Sequence, residues 1–183
     1  MMVDSIDSEL VNMLRSRIRN IPDFPVKGIQ FKDITPLLSD PHTLELTARL
    51  LRKPFNGHRV DFVVGLEARG FFFGPRLAAD LMAGFVPVRK PMKLPFTTIS
   101  ANYDLEYGTD SLEMHADAIT ENSNVIIHDD LIATGGSALA ATDLVERMGA
   151  RVVGYSFVLG LSDLNGTIRL NKKGTIIDTL IKL

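Results

Sequence analysis

A chain of 183 residues makes about one domain at the usual ~150 residues apiece, which excludes a fusion of two enzymes. Its residues are 45% hydrophobic and 23% charged, and 20 Lys+Arg against 22 Asp+Glu leave a formal charge of -2, so nothing basic is in excess to meet a phosphate backbone and nucleic acid is not an expected partner. The absence of cysteine excludes disulfides, thiolate catalysis and cysteine-ligated zinc, and four scattered histidines make a poor metal cage, so no protein-built metal site is expected.

Met1 to Asp7 carries acidic residues and no apolar leader, and no apolar run approaches the ~18 residues of a membrane span, so the expectation is a soluble, cytoplasmic protein with no membrane partner. Ile6, Leu10, Leu14 and Ile18 repeat at one-face helical spacing and predict an amphipathic helix over Ser5 to Arg19, with Arg15, Arg17 and Arg19 near its C-terminal end. Pro22 and Pro25 forbid its continuation, and Pro22 to Phe31 reads as extended chain. Asp40-Pro41 supplies an N-cap and a first-turn proline for a second helix reaching about Lys53. Val60 to Val64 reads as a strand, Phe73 to Met82 as a helix stopped by Gly84, and Phe85 to Arg89 as a second strand, which is a βαβ unit. Residues 96–116 break this grammar with a Gly108-Thr-Asp turn between alternating segments, a hairpin inserted between two halves. Val125 to His128, Ala138 to Met148 and Val152 to Leu159 repeat strand, helix, strand, and Thr175 to Leu183 adds a last strand. Two crossovers predict an α/β protein whose parallel, twisted sheet is flanked by helices.

Ligands of such sheets gather beyond the carboxyl ends of the strands. Ala133, Thr134, Gly135, Gly136 and Ser137 offer closely spaced N-H groups, two hydroxyls and a helix N-terminus, which suit a phosphate monoester. Asp129 and Asp130 would repel that phosphate and must face something else; a vicinal diol such as the ribose 2′ and 3′ hydroxyls matches their acceptor-only chemistry. The plainer alternative is that one Asp caps the helix and the glycines merely turn the chain. Gly65 to Gly70 resembles a Walker loop only superficially, because Phe71 and Phe72 stand where Lys and Ser or Thr are needed. Arg69 can present a guanidinium to a diphosphate, or lie as an ordinary surface arginine. Arg89 and Lys93 end the first crossover at the same edge, either as further anion ligands or as a solvated charge run.

Val125-Ile-Ile-His-Asp-Asp-Leu-Ile-Ala-Thr-Gly-Gly-Ser137 resembles the phosphoribosyl pyrophosphate (PRPP) signature of the type I phosphoribosyltransferase family. Pro22-Asp-Phe-Pro-Val-Lys-Gly-Ile-Gln-Phe-Lys-Asp-Ile34, Gly65-Leu-Glu-Ala-Arg-Gly-Phe-Phe-Phe-Gly-Pro75, and Lys93-Leu-Pro95 with Tyr103-Asp-Leu-Glu-Tyr-Gly108 are similar to its adenine-using branch. The resemblance implies a single domain over residues 1–183, with a base-binding hood over about 1–35 and a flexible hairpin lid over about 94–116. It implies transfer of 5-phosphoribosyl from PRPP to N9 of adenine, giving AMP and pyrophosphate, with Mg2+ carried in on PRPP and a homodimer as the working state. By matching position, Ala133 to Ser137 would hold the 5′-phosphate, Asp129 and Asp130 would lie by the ribose, and Glu67, Ala68, Arg69, Arg89 and Lys93 would meet pyrophosphate, with a cis Glu67–Ala68 peptide. Glu106 would exchange a proton with the base and Tyr107 would shape the closed lid. Adenine would lie between Phe31 and Leu161, its edge read by main chain at Gln30 and Lys32. Two positions depart from the pattern: Lys32 replaces a commoner Arg, and His128 a commoner β-branched residue, read here as a strand residue rather than a catalyst. Competing expectations are a transferase for hypoxanthine, guanine or xanthine, and a non-catalytic PRPP-binding regulator.

Overall fold

The computed structural model describes residues 2–104, 109–171 and 173–183. The chain divides into two compact units, Met1–Leu50 and Leu51–Leu183.

In the first unit, α1 (Met2–Arg17) ends with Arg15 and Arg17 in its last turn, where cations complement the helix dipole. The stretch expected to run extended instead pairs with the residues before it: β1 (Arg19–Pro22) lies antiparallel to β2 (Gln30–Asp33), from Arg19 opposite Asp33 to Pro22 opposite Gln30. A two-stranded ribbon has only edges, so proline at its end costs no ladder bond. Its connection is tied by the Gly28 N–H donating to Asp23 Oδ1 at 2.7 Å and contains a cis Phe24–Pro25 bond. The short α2 (Thr35–Ser39) follows, and α3 (Pro41–Arg52) starts where foreseen, with Asp40 Oδ1 accepting from the N–H of His42 at 2.8 Å and of Thr43 at 3.3 Å. Those bonds hold the Asp40 carboxyl below its ordinary pKa.

The second unit carries β3 (Phe62–Leu66), α4 (Gly74–Asp80), β4 (Gly84–Val88), β5 (Thr98–Asp104), β6 (Thr109–His115), β7 (Asn124–Ile132), α5 (Gly136–Arg147), β8 (Arg151–Gly160), α6 (Gly166–Arg169) and β9 (Ile176–Lys182). Five strands form a parallel sheet in the order β4-β3-β7-β8-β9, and β5-β6 is a separate antiparallel pair. Val64, Val125 and Ile127 pack with Ala141, Leu144 and Val145 of α5, whereas Val63 and Ile126 pack with Leu77 and Ala78 of α4. Alternation of period two marks opposite faces, so the two helices flank the sheet on opposite sides. The chain reverses direction across the sheet between β3 and β7, the switch point at which α/β proteins open a crevice. Strand β7 continues four residues past the expected end at His128: its pairing with β3 stops at Gly65–His128, but its pairing with β8 runs on to Ile132–Gly160. The acid pair therefore lies on a strand, not in a loop. Among the described residues, no helix is long and apolar enough to cross a membrane.

Candidate active site

A cavity of about 250 Å3 opens at the carboxyl edge of the switch point, walled by Arg69, Tyr103, Phe157 and the run from Asp129 to Ala138. Sequence reasoning brought Arg69, Asp129, Asp130 and residues 133–137 to one place, and the structure joins them.

The turn at residues 133–137, the expected phosphate cradle, follows from backbone geometry. Gly135 has φ 80°, a left-handed conformation that side chains resist, and it turns the chain so that α5 begins at Gly136, whose first residues, Gly136 to Ala138, line the cavity. The cradle is braced from outside: Arg169 Nη1 donates to the Thr134 carbonyl at 2.8 Å, and the Gly166 carbonyl lies 2.9 Å from where a Gly135 β-carbon would stand. Helix α6, which no sequence signal foretold, supplies both contacts.

Along β7 the pleat sends consecutive side chains to opposite sides. Asp130, almost wholly buried, pairs with Arg69 Nε at 3.1 Å, whereas Asp129 is half-buried and its Oδ1 accepts the Asp130 N–H at 2.8 Å. Burial raises both carboxyl pKa values; the charge of Asp130 adds to the rise at Asp129, and the Arg69 guanidinium opposes it at Asp130.

The cis Glu67–Ala68 peptide implied by the family resemblance is present. Arg89, expected to meet pyrophosphate, instead spends three of its five donors inside the protein: Nε and Nη2 grip Glu67 at 3.0 and 3.1 Å, and Nη1 donates to the Lys93 carbonyl at 3.0 Å. The Lys90 N–H also donates to Glu67, at 3.0 Å. Burial alone would raise the Glu67 pKa, but these bonds outweigh it and the carboxylate stays ionised. Arg89 therefore ties the loop after β3 to the segment after β4, while the Lys93 side chain is exposed.

Gln30, Phe31 and Lys32 lie on β2 in the N-terminal unit. Phe31 meets Phe24 edge to face with centroids 5.1 Å apart; Asn20 joins Gln30 Oε1 at 2.8 Å and Lys32 Nζ at 3.0 Å. Leu161 lines a neighbouring cavity of about 210 Å3 that shares Ile132 with the first. Glu106 and Tyr107 lie outside the described residues.

Sequence reasoning passed over Leu131, Tyr103 and Phe157. Leu131 had a signal, as the residue following the acid pair; Tyr103 and Phe157 reach the cavity only through strand pairing. Behind the acid pair, His128, Ser156 and Asp178 stand in register across β7, β8 and β9, with His128 Nδ1 3.3 Å from Ser156 Oγ. Burial lowers the His128 pKa to about 4 and raises that of Asp178 to about 6. His128 is a buried strand residue, as expected.

A braced, glycine-turned helix start shares one cavity with a paired arginine and carboxylate at the switch point of a parallel sheet. Residues 37–177 match the family described as phosphoribosyl transferase domain. An adenine phosphoribosyltransferase of Methanococcus vannielii is 51% identical over 169 residues, 92% of this chain and 96% of that one. The crystal structure of adenine phosphoribosyltransferase from Rhodothermus marinus superposes with a TM-score of 0.91 at 49% identity, covering 96% of this chain and 99% of its own. The Saccharomyces cerevisiae enzyme, crystallised with an imino-altritol bisphosphate and adenine, gives a TM-score of 0.87 at 42% identity over 94% and 99% of the two chains. The chain belongs to the phosphoribosyltransferase family, and within it to the adenine phosphoribosyltransferases.

Proposed function

We propose that the enzyme serves purine salvage, transferring 5-phosphoribosyl from PRPP to N9 of adenine and releasing AMP and pyrophosphate. The observation that carries this reading is the braced cradle of residues 133–137 opposite the Arg69–Asp130 pair, one end for a 5′-phosphate and the other for a diphosphate. The C1′–oxygen bond to diphosphate breaks, the C1′–N9 bond forms, and the N9 proton leaves. No protein nucleophile is required; the chain positions two substrates and stabilises charge.

In this reading Ala133 to Ser137 hold the 5′-phosphate, and Asp129 and Asp130 accept from the ribose hydroxyls, which satisfies carboxylates that burial leaves short of donors. Glu67, Ala68, Arg69, Arg89 and Lys93 form the diphosphate edge, with Arg89 acting through Glu67. Adenine lies against Phe31 and Leu161, with Gln30 and Lys32 main chain on its edge. Residues 1–35 act as a hood over the base and residues 94–116 as a lid that excludes water; Glu106 takes the proton from the base and Tyr107 shapes the closed state. The resemblance implies Mg2+ carried in on PRPP's own oxygens; among the described residues no group of three His, Cys, Asp or Glu side chains is placed to hold a metal ion. When bound with PRPP, such an ion would supply positive charge against the leaving diphosphate. The resemblance further supports a cytoplasmic homodimer.

A base panel tests the reading. With Mg2+ and PRPP, adenine is converted to AMP while hypoxanthine and guanine react far more slowly; equal or preferred use of a 6-oxopurine would overturn the assignment.

A further inference from the structure

The turn at residues 133–137 is backed by a short stretch of chain outside the cavity. Asn165, left-handed at φ 54°, leads into α6, and the helix is held at both ends: a β-carbon at Gly166 would overlap the Ala133 carbonyl, and Leu170, 1% exposed, belongs to the same core cluster as Ile132 and Ala138 on either side of the turn. Arg169, the last residue of α6, thus starts from a fixed base. Its Nη1 donates to the Thr134 carbonyl at 2.8 Å, and its side chain walls not the phosphate cavity but a neighbouring one of about 280 Å3, which shares Tyr103 and Gly136 with the first.

We propose that Arg169 is a positioning residue for PRPP and acts through the Thr134–Gly135 peptide. That peptide is trans and planar, so its C=O and N–H point in opposite directions. Holding the Thr134 carbonyl toward Arg169 therefore aims the Gly135 N–H the other way. Rotating the peptide by half a turn would exchange the two ends, and glycine at position 135 makes the exchange easy because it accepts φ of either sign. One orientation offers a phosphate dianion a hydrogen, the other an oxygen; the guanidinium selects between them. A cation on the carbonyl also polarises the peptide, which strengthens its N–H as a donor. Arg169 needs no contact with substrate in this scheme. The proposal rests on the reading of residues 133–137 as the 5′-phosphate cradle.

The test compares Arg169→Met, Arg169→Lys and Gly135→Ala in the full-length enzyme by calorimetry, with AMP, which carries the 5′-phosphate, and magnesium pyrophosphate, which does not, as separate probes. Arg169→Met should weaken AMP about tenfold and leave pyrophosphate within about twofold; in turnover it should raise KM for PRPP about tenfold with kcat within about threefold. The bond to Thr134 is single, so the ammonium of Arg169→Lys should recover most of the AMP affinity. Unchanged AMP affinity in Arg169→Met would overturn the proposal, as would equal weakening of both probes, which is the mark of a general structural role, or a lysine variant no better than the methionine one. Gly135→Ala separates that failure from a failure of the cradle. If it loses AMP affinity where Arg169→Met does not, the cradle reading stands and only the role of Arg169 falls. Weaker pyrophosphate with unaltered AMP in both variants would show that residues 133–137 hold the other anion and would overturn the two together.

Discussion

Separate replacement of His128 by Val and of Asp178 by Asn should expose two opposed pH dependences that nearly cancel in the native protein. His128 has an ordinary pKa of 6.5, lowered in the fold to about 4 by burial. The unfolded chain therefore binds its proton first, and the stability tied to a neutral His128 is complete above pH 6.5 and lost as pH falls through 4. At about 1.4 kcal/mol per pH unit, that span is worth about 3 kcal/mol. Asp178 runs the other way: burial raises its carboxyl from 3.8 to about 6, so its share is complete below pH 3.8 and lost as pH rises through 6, again about 3 kcal/mol. Between pH 4 and 6 the two slopes oppose each other. Urea unfolding followed by circular dichroism at pH 7, 6, 5 and 4 reads the difference between each variant and the native protein. Moving from pH 7 to 4, His128→Val should gain about 3 kcal/mol relative to native, and Asp178→Asn should lose about as much. Any packing cost of the substitutions is a constant offset and drops out. A difference that stays flat across pH in either variant would refute the burial argument for that residue.

Gly135→Ala should cost the cradle twice, about 1–2 kcal/mol for a left-handed β-carbon-bearing residue and further for a β-carbon 2.9 Å from the Gly166 carbonyl. PRPP affinity by calorimetry should fall tenfold or more; unchanged affinity would place the 5′-phosphate elsewhere. Glu106→Gln should lower turnover with little change in PRPP binding, seen as a fall in kcat at constant KM; an unaltered kcat would take Glu106 out of the chemistry.

The two crossovers were legible because their strands are β-branched runs closed by glycine and their helices are stopped by Gly84 and Gly149. Composition could not foresee that β7 runs past His128, since the partner enforcing it is β8, supplied thirty residues later. The β1-β2 ribbon hid behind Pro22 and Pro25, which read as breakers but are harmless at an edge. In the site, the residues that form continuous motifs were readable. What escaped was pairing between motifs: Arg89 looked like a free cation until Glu67 met it, Arg69 until Asp130 met it, and Lys90, within a basic run, gave no sign of meeting Tyr103, the first residue of a separate motif. Side chains recruited by tertiary contact announce themselves only in three dimensions.

Gly70 gives the site a property that its charges do not. A β-carbon there would come within 2.9 Å of the His128 carbonyl and 3.3 Å of the Asp129 α-carbon, so the Arg69 loop rests on β7 main chain against main chain. Asp129 Oδ1 lies 3.3 Å from the same point, so the loop also rests against the first carboxylate of the acid pair. The loop bearing the arginine and the strand leading to the phosphate cradle therefore act as the jaws of a calliper. A β-carbon at Gly70 would push those jaws apart, so glycine there sets how near the arginine-bearing loop comes to β7.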